Sequence, residues 1–180
     1  MGKQSANDKK DLAVLEALAA QNRQMLETPS GLWVLMVLVG LATAGLPLGL
    51  FLTSHYTPPD SVSEGAPFFT IGALASSVVL ATAYNQWAVS VRKALYRERE
   101  STISTLRPEV RAGLEKNTFT ESTARAVFYQ NIAFFLAYWY FTSYLIPAWV
   151  ADDKWNYLFS SIFASGLTLG WGSLYQQIRL

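Results

Sequence analysis

Four long windows without a charged side chain constrain what this chain can fold into. No Asp, Glu, Lys or Arg occurs between Thr28 and Pro59, Gly65 and Val91, Ala126 and Ala151, or Trp155 and Ile178. Each window exceeds the ~20 residues that an α-helix needs to cross ~30 Å of hydrocarbon. Core helices of a soluble protein usually keep a polar face, and these windows show none. The sequence therefore predicts an all-α membrane protein with four transmembrane helices.

The windows also predict how the chain is divided. The expected spans are Leu32–Leu52, Phe68–Val89, Val127–Trp149 and Trp155–Tyr175. The expected segments are an N-terminal cytosolic helix over 1–30, a transmembrane hairpin over 31–91 with a short lumenal loop at 53–67, a cytosolic helical segment over 92–125, and a second transmembrane hairpin over 126–180 with a short lumenal loop and a cytosolic tail.

The distribution of basic residues predicts the orientation in the membrane. Of the 14 Lys and Arg residues, only Lys154 falls in a loop that joins spans one and two or spans three and four. The others lie before the first span, in the middle segment or at the C-terminal end. Loops rich in Lys and Arg stay in the cytosol. Both termini and the middle segment are therefore expected to be cytosolic.

Helix signals organise the two cytosolic segments. Apolar residues recur at helical spacing between Leu12 and Leu26, which predicts an amphipathic N-terminal helix. The second span is expected to continue as one helix past Arg97, because nothing breaks it before Pro108. Pro108 suits the first turn of a new short helix. Thr118 with Glu121 three residues later fits a capping box, which predicts that the third helix begins there.

Composition argues against an enzyme. The chain has no Cys and a single His, His55, so thiol nucleophiles and multi-His metal sites are excluded. No ionisable side chain lies in any predicted span, whereas proton- or ion-coupled pathways need one. The sequence thus predicts no catalytic residue, cofactor or metal. Asn85 and Asn131 lie at similar depth in spans two and three, and we expect this polar pair to bond between the helices.

Three short motifs, in order, carry a family resemblance. They are Ala83-Tyr84-Asn85 before a basic helix ending Arg97-Glu98-Arg99-Glu100, Phe128-Tyr129-Gln130-Asn131 at the start of span three, and Asn156-Tyr157-Leu158 leading to Ala164-Ser165-Gly166-Leu167 in span four. With the span order and length, the chain resembles gamma subunits of the translocon-associated protein complex, also called signal sequence receptor gamma subunits. The resemblance covers nearly the whole chain.

The resemblance implies a multi-pass protein of the endoplasmic reticulum membrane without enzymatic activity. Members of this family anchor the complex beside the Sec61 channel and touch the ribosome during co-translational protein translocation. The implied partners are other subunits of the complex, Sec61, the ribosome through its RNA or proteins, and membrane lipid. Candidate ribosome contacts are the outer basic residues of the middle segment: Arg97, Arg99, Arg107, Arg111 and Lys116.

An alternative function fits the same composition. A structural transmembrane subunit of an organellar respiratory or photosynthetic complex would also be small, helical and free of catalytic residues. Such a subunit would have no affinity for ribosomes. Under this alternative, the basic residues of the middle segment only fix the topology and meet anionic lipid headgroups.

The basic-residue distribution makes a testable prediction about topology. Protease added to sealed microsomes should remove epitope tags from both ends of the chain. Protection of either tag would contradict the number of spans or their orientation.

Overall fold

Four α-helices account for most of the described chain. The computed structural model describes residues 27–54, 59–103, 108–150 and 152–179. The helices are α1 (Ser30–Ser54), α2 (Pro59–Ile103), α3 (Pro108–Tyr140) and α4 (Asp153–Arg179), and a π-helical turn, Phe141–Leu145, follows α3. No strand occurs in these ranges. The predicted all-α class is therefore confirmed.

Helix α1 begins directly after Pro29, near the start of the first charge-free window. Pro29 is not helical, and its carbonyl oxygen accepts hydrogen bonds from the backbone N–H groups of Leu32 at 2.9 Å and Trp33 at 3.1 Å. These bonds use two of the N–H groups that every helix start leaves without an intrahelical partner. The amphipathic helix predicted upstream lies almost wholly in residues 1–26, outside the described residues.

The structure corrects the predicted lumenal loop at 53–67. Helix α1 extends to Ser54 and α2 already begins at Pro59, so most of the predicted loop is helical. A proline at a helix start costs no backbone hydrogen bond, because the N–H groups of the first turn have no acceptor within the helix. Pro67 lies inside α2, where a proline removes one backbone hydrogen bond without ending this helix.

The structure also corrects the predicted start of the third helix. Helix α2 continues past Arg97 to Ile103, as predicted, and a helix begins at Pro108, as predicted, but it is α3 itself rather than a separate short helix. However, α3 runs without interruption through Thr118, so Thr118 is no N-cap. Its hydroxyl instead donates back to the carbonyl of Leu114 at 2.8 Å, as threonine does inside helices. The capping-box prediction was therefore wrong.

A π-helical turn separates α3 from the connection to α4. Its backbone hydrogen bond runs from the N–H of Ile146 to the carbonyl of Phe141 over 2.9 Å. Asn156 of α4 donates to the carbonyl of Thr142 in this turn, at 3.4 Å. Just before it, Tyr138 faces the interior while Trp139 and Tyr140 are exposed. The aromatic run that begins at Tyr138 is therefore divided between the core and the outer surface.

Helix α2 is the central helix of the bundle and packs along the other three. Leu80, Ala81 and Tyr84 are completely buried on it, against Phe134 of α3 and Tyr157 of α4. The Tyr157 hydroxyl also donates to the backbone carbonyl of Ala44 on α1 over 3.1 Å. The core thus joins residues of all four helices.

Burial in this bundle is inverted relative to a soluble protein. Small polar side chains fill much of the interior: Thr43, Ser76, Ser77, Ser122, Ser160, Ser161, Ser165 and Thr168. Large apolar side chains lie outside on every helix, for example Val34, Ile71, Leu136 and Leu167, each more than half exposed. Small residues that allow close helix approach are typical of helix interfaces in membranes.

Two of the four predicted spans are long and apolar enough to cross a membrane by length and composition. Within the described residues these are Ser30–Gly49 in α1 and Glu64–Arg99 in α2. The second stretch has 36 residues, far beyond the ~20 that a bilayer requires. The outer part of α2 therefore has the length to project from a membrane.

One close approach yields a stability prediction. A Cβ atom at Gly40 would lie 2.7 Å from the backbone carbonyl oxygen of Ser77, whereas a Cβ at Gly45 would meet open space. Gly40→Ala should push α1 from α2 and lower the unfolding free energy in detergent by about 1–3 kcal/mol. Gly45→Ala, the matched control, should be neutral or slightly stabilising. Equal thermal midpoints for the two variants would contradict this close packing.

Candidate functional site

The outer ends of α2 and α3 form a hairpin around buried and half-buried arginines. Arg92 on α2 is completely buried. Its guanidinium carbon lies 3.6 Å from the centre of the Phe119 ring on α3, a cation–π contact. Its Nε donates to the Ser122 hydroxyl oxygen at 3.4 Å. This basic residue of the middle segment therefore lies between the two helices.

Arg99 joins the two helices farther from the apolar core. Its Nη1 donates to the Thr118 hydroxyl oxygen at 2.8 Å, and its Nη2 donates to Glu121 Oε2 at 2.7 Å. Both acceptors lie on α3, three residues apart and so on one helix face. We call Arg99, Thr118 and Glu121 the clasp. A single planar guanidinium therefore sets both the spacing and the register of the helices.

The carboxylate of Glu121 is shared by two arginines. Arg125 Nη2 donates to Glu121 Oε1 at 2.6 Å, while Arg99 holds the other oxygen. The hydrogen bond from Arg99 is the largest influence that lowers the pKa of Glu121 below its ordinary value. The cluster carries two positive charges and one negative charge, and all three side chains retain some exposure to solvent.

The five predicted contact residues have different environments. Arg97 and Lys116 are exposed, on α2 and α3 respectively. Arg99 belongs to the clasp. Arg107 lies outside the described residues. Arg111 lies in α3, but its side chain is not among those that the structure describes. Among the side chains of this set that the structure describes, Arg97 and Lys116 are exposed and Arg99 is half-buried.

Sequence reasoning did not identify Thr118 and Glu121 as partners of Arg99. The spacing of Glu121 and Arg125 is a signal for an ion pair, since side chains four apart on a helix are neighbours. The contact of Arg99 with α3 leaves no such signal, because it depends on how the two helices are rotated against each other.

A second polar cluster joins three helices inside the bundle. Tyr84 of α2 donates its hydroxyl hydrogen to Asn131 Oδ1 of α3. Thr43 of α1 donates to the same oxygen at 3.2 Å. A carbonyl oxygen has two lone pairs and can accept both bonds. Since Tyr84 and Thr43 are buried, this cluster fixes α1, α2 and α3 at one depth.

The predicted polar pair is therefore replaced by two separate bonds. Asn131 bonds with Tyr84, the residue next to Asn85 in the sequence. Asn85 itself accepts a hydrogen bond from the hydroxyl of Thr28, just before α1. The prediction placed Asn131 correctly between helices but assigned its partner wrongly, because one residue changes direction by about 100° around a helix. For Asn85 it was wrong, since the bonding partner Thr28 precedes α1 and is not helical.

Other features of the described residues are structural in character. Gln130 is completely buried, and neither amide atom has a hydrogen-bond partner in the structure. Its Nε2 would lie 3.3 Å from a Cβ at Gly172, so α4 approaches closely there. Within the described ranges, no group of three or more His, Cys, Asp or Glu side chains could hold a metal ion.

Comparison with known proteins adds no relatives. No family model matches this chain, and no curated protein matches it at a significant level.

The cluster around Asn131 predicts energetic coupling between two residues. Tyr84→Phe and Asn131→Leu remove the same hydrogen bond, so the double variant should lose less stability than the sum of the single variants. Hydrogen bonds between membrane helices average about 0.6 kcal/mol, which sets the expected coupling. Unfolding in detergent measures it, with Asn85→Leu and Asn131→Leu as the control pair that should be closer to additive. Additive effects for Tyr84 and Asn131 would contradict the bond.

The ion pairs of Glu121 predict a dependence of stability on pH. Because the folded-state pKa is lowered, ionised Glu121 stabilises the hairpin above its ordinary value of 4.5, and this contribution is lost as pH falls through the lower value. At neutral pH, the free energy of unfolding of wild type should exceed that of Glu121→Gln by about 1 kcal/mol or less. The two proteins should converge as the solution is acidified. A constant difference across the pH range would exclude this role of the carboxylate.

Proposed function

We propose that this chain is a non-enzymatic membrane-anchoring subunit of the translocon-associated protein complex in the endoplasmic reticulum. Four helices anchor it in the membrane beside the Sec61 channel. Its cytosolic hairpin, formed by the outer parts of α2 and α3, contacts the ribosome during co-translational protein translocation.

The observation that carries this proposal is the length and changing character of α2. The helix has 45 residues, of which the part from Gly65 to Val91 carries no charged residue and the last part carries the exposed Lys93 and Arg97. Such a helix suits a protein that holds a binding surface at a fixed distance from the bilayer. The outer end of α2 presents basic side chains for this purpose, as contact with phosphate-rich RNA requires.

The surfaces of α3 and α4 support four spans rather than two. On α3, Phe128, Leu136 and Trp139 are each about 60% exposed. On α4, Leu167 and Trp171 are nearly as exposed. Exposure of so many large apolar side chains is unfavourable in water and favourable in lipid. The Tyr, Trp, Asn and Gln residues of α3 lower its average hydropathy without placing a charge in the predicted span.

The exposed cations support a contact with RNA. Arg97 and Lys116 point to solvent, and basic side chains bind nucleic-acid phosphates with release of counterions. The orientation expected from the basic residues puts both on the cytosolic side, where a translating ribosome docks.

Co-purification tests the proposal directly. The tagged protein, extracted in mild detergent, should bring down ribosomes and the Sec61 channel. Replacing both Arg97 and Lys116 with Gln should reduce ribosome recovery, most visibly at moderate salt. Lys154→Gln, on the expected lumenal side, is the matched control and should leave recovery unchanged. Recovery of a respiratory or photosynthetic complex without ribosomes would overturn the proposal in favour of the alternative function.

A further inference from the structure

The clasp divides the basic residues of the hairpin into two groups. Arg99 directs both terminal nitrogens to α3, at 2.8 Å from the Thr118 hydroxyl and 2.7 Å from Glu121. Thr118 is completely buried, so this end of the guanidinium faces the interior of the hairpin. Arg97, two residues earlier on the same helix, is exposed. The two arginines are therefore neighbours in the sequence, but one is exposed to solvent and the other is bonded to α3.

Electrostatics separates the two groups further. A phosphate group that approached Arg99 would meet the carboxylate of Glu121, which already occupies one of its terminal nitrogens. Like charges at this distance repel, and the carboxylate offsets the charge of the guanidinium. Arg97 and Lys116 are exposed to solvent without such a bond in the described residues. An RNA phosphate therefore binds more favourably to these two side chains than to Arg99.

We infer that Arg99 is a positioning residue, which acts by locking α2 to α3 through Glu121 and Thr118, and that Arg97 and Lys116 meet the RNA phosphates. The inference rests on the proposed ribosome contact and specifies which residues perform which part of it. The clasp holds the exposed cations of the two helices in a fixed arrangement, and a fixed arrangement lowers the entropic cost of binding.

Reversal of charge at position 121 distinguishes positioning from contact. Glu121→Arg adds positive charge to the hairpin, so direct phosphate contact by this cluster would strengthen ribosome binding. If the cluster positions the helices, the same variant places three guanidiniums together, opens the clasp and weakens binding. Because the two roles predict opposite changes in ribosome binding, Glu121→Arg is the most informative single variant.

Exchange of the two charges tests the clasp itself. Arg99→Glu alone should weaken ribosome binding by the full complex about tenfold, since it pairs two carboxylates across the hairpin. Combining Arg99→Glu with Glu121→Arg restores an ion pair of opposite direction, and binding should return to within about twofold of wild type. A double variant that binds as weakly as Arg99→Glu alone would overturn the inference.

Arg97→Glu serves as the matched control on the same helix. It should weaken ribosome binding and lower the slope of log affinity against log salt by about 0.7–0.9 for each phosphate that the variant no longer neutralises. Adding Glu121→Arg should not rescue it. The double exchange at 99 and 121 should keep the wild-type slope, because it leaves the phosphate-binding side chains in place. Rescue of Arg97→Glu by Glu121→Arg would show a general charge effect and contradict the assignment.

A second measurement separates this inference from the proposed function. Unfolding of the variants at positions 99 and 121 in detergent, beside wild type, reports the clasp without any ribosome. The unfolding energies could show coupling between positions 99 and 121 while the complex binds no ribosomes. That result would overturn the proposed function and with it the positioning role. Ribosome binding without coupling would overturn the clasp alone.

Discussion

Close approach along α2 is the constraint on which the other contacts of the bundle depend. Gly40 of α1 comes so near to the backbone of α2 that a Cβ atom would collide with the Ser77 carbonyl. On α2 itself, a Cβ at Gly72 would lie 3.0 Å from the Tyr157 ring of α4. In the same closely packed bundle, the Tyr84 hydroxyl lies within hydrogen-bond distance of Thr43 on α1 and Asn131 on α3. In the proposed membrane setting, hydrophobic burial cannot supply this specificity, because lipid is as apolar as the core.

The two ends of α2 use different chemistry to hold their neighbours. Near its start, Phe68 packs edge-on against Trp155 of α4 at 4.7 Å, and Lys154 lies 5.7 Å from the centre of the Phe68 ring. Near its end, arginines bond to hydroxyl and carboxylate groups of α3. Between them, the buried Leu80, Ala81 and Tyr84 pack in the middle of the helix. The contacts of α2 with its neighbours thus change from aromatic at one end to ionic at the other.

The charge-free windows were sufficient to predict long apolar helices, because so many successive residues without a charge are easily recognised in a sequence. The continuation of α2 past Arg97 and the start of α3 at Pro108 were also predictable, since proline is the strongest local marker of a helix boundary. The helical conformation of residues 59–67 was not, because Pro67 ordinarily argues against it. Here the helix tolerates the absence of one backbone hydrogen bond.

The partners of polar residues on other helices could not be predicted from the sequence. Asn131 was recognised as an interhelical residue, yet its partner is Tyr84 rather than Asn85. Arg92 and Arg99 were classed with the other basic residues, and the structure separates them by burial and by pairing with α3. Each of these contacts depends on the rotation of one helix against another. A single sequence records the period of each helix but not these rotations.

The continuity of α2 gives the molecule a mechanical property. At 1.5 Å per residue, its 45 residues form a rod about 67 Å long. A tilt of about 10° at one end of such a rod moves the other end by about 12 Å. Because the clasp joins α3 to α2, the part of α3 around Thr118 and Glu121 follows that movement together with α2. A small change in how the helix sits among its neighbours is thereby converted into a large displacement at its far end.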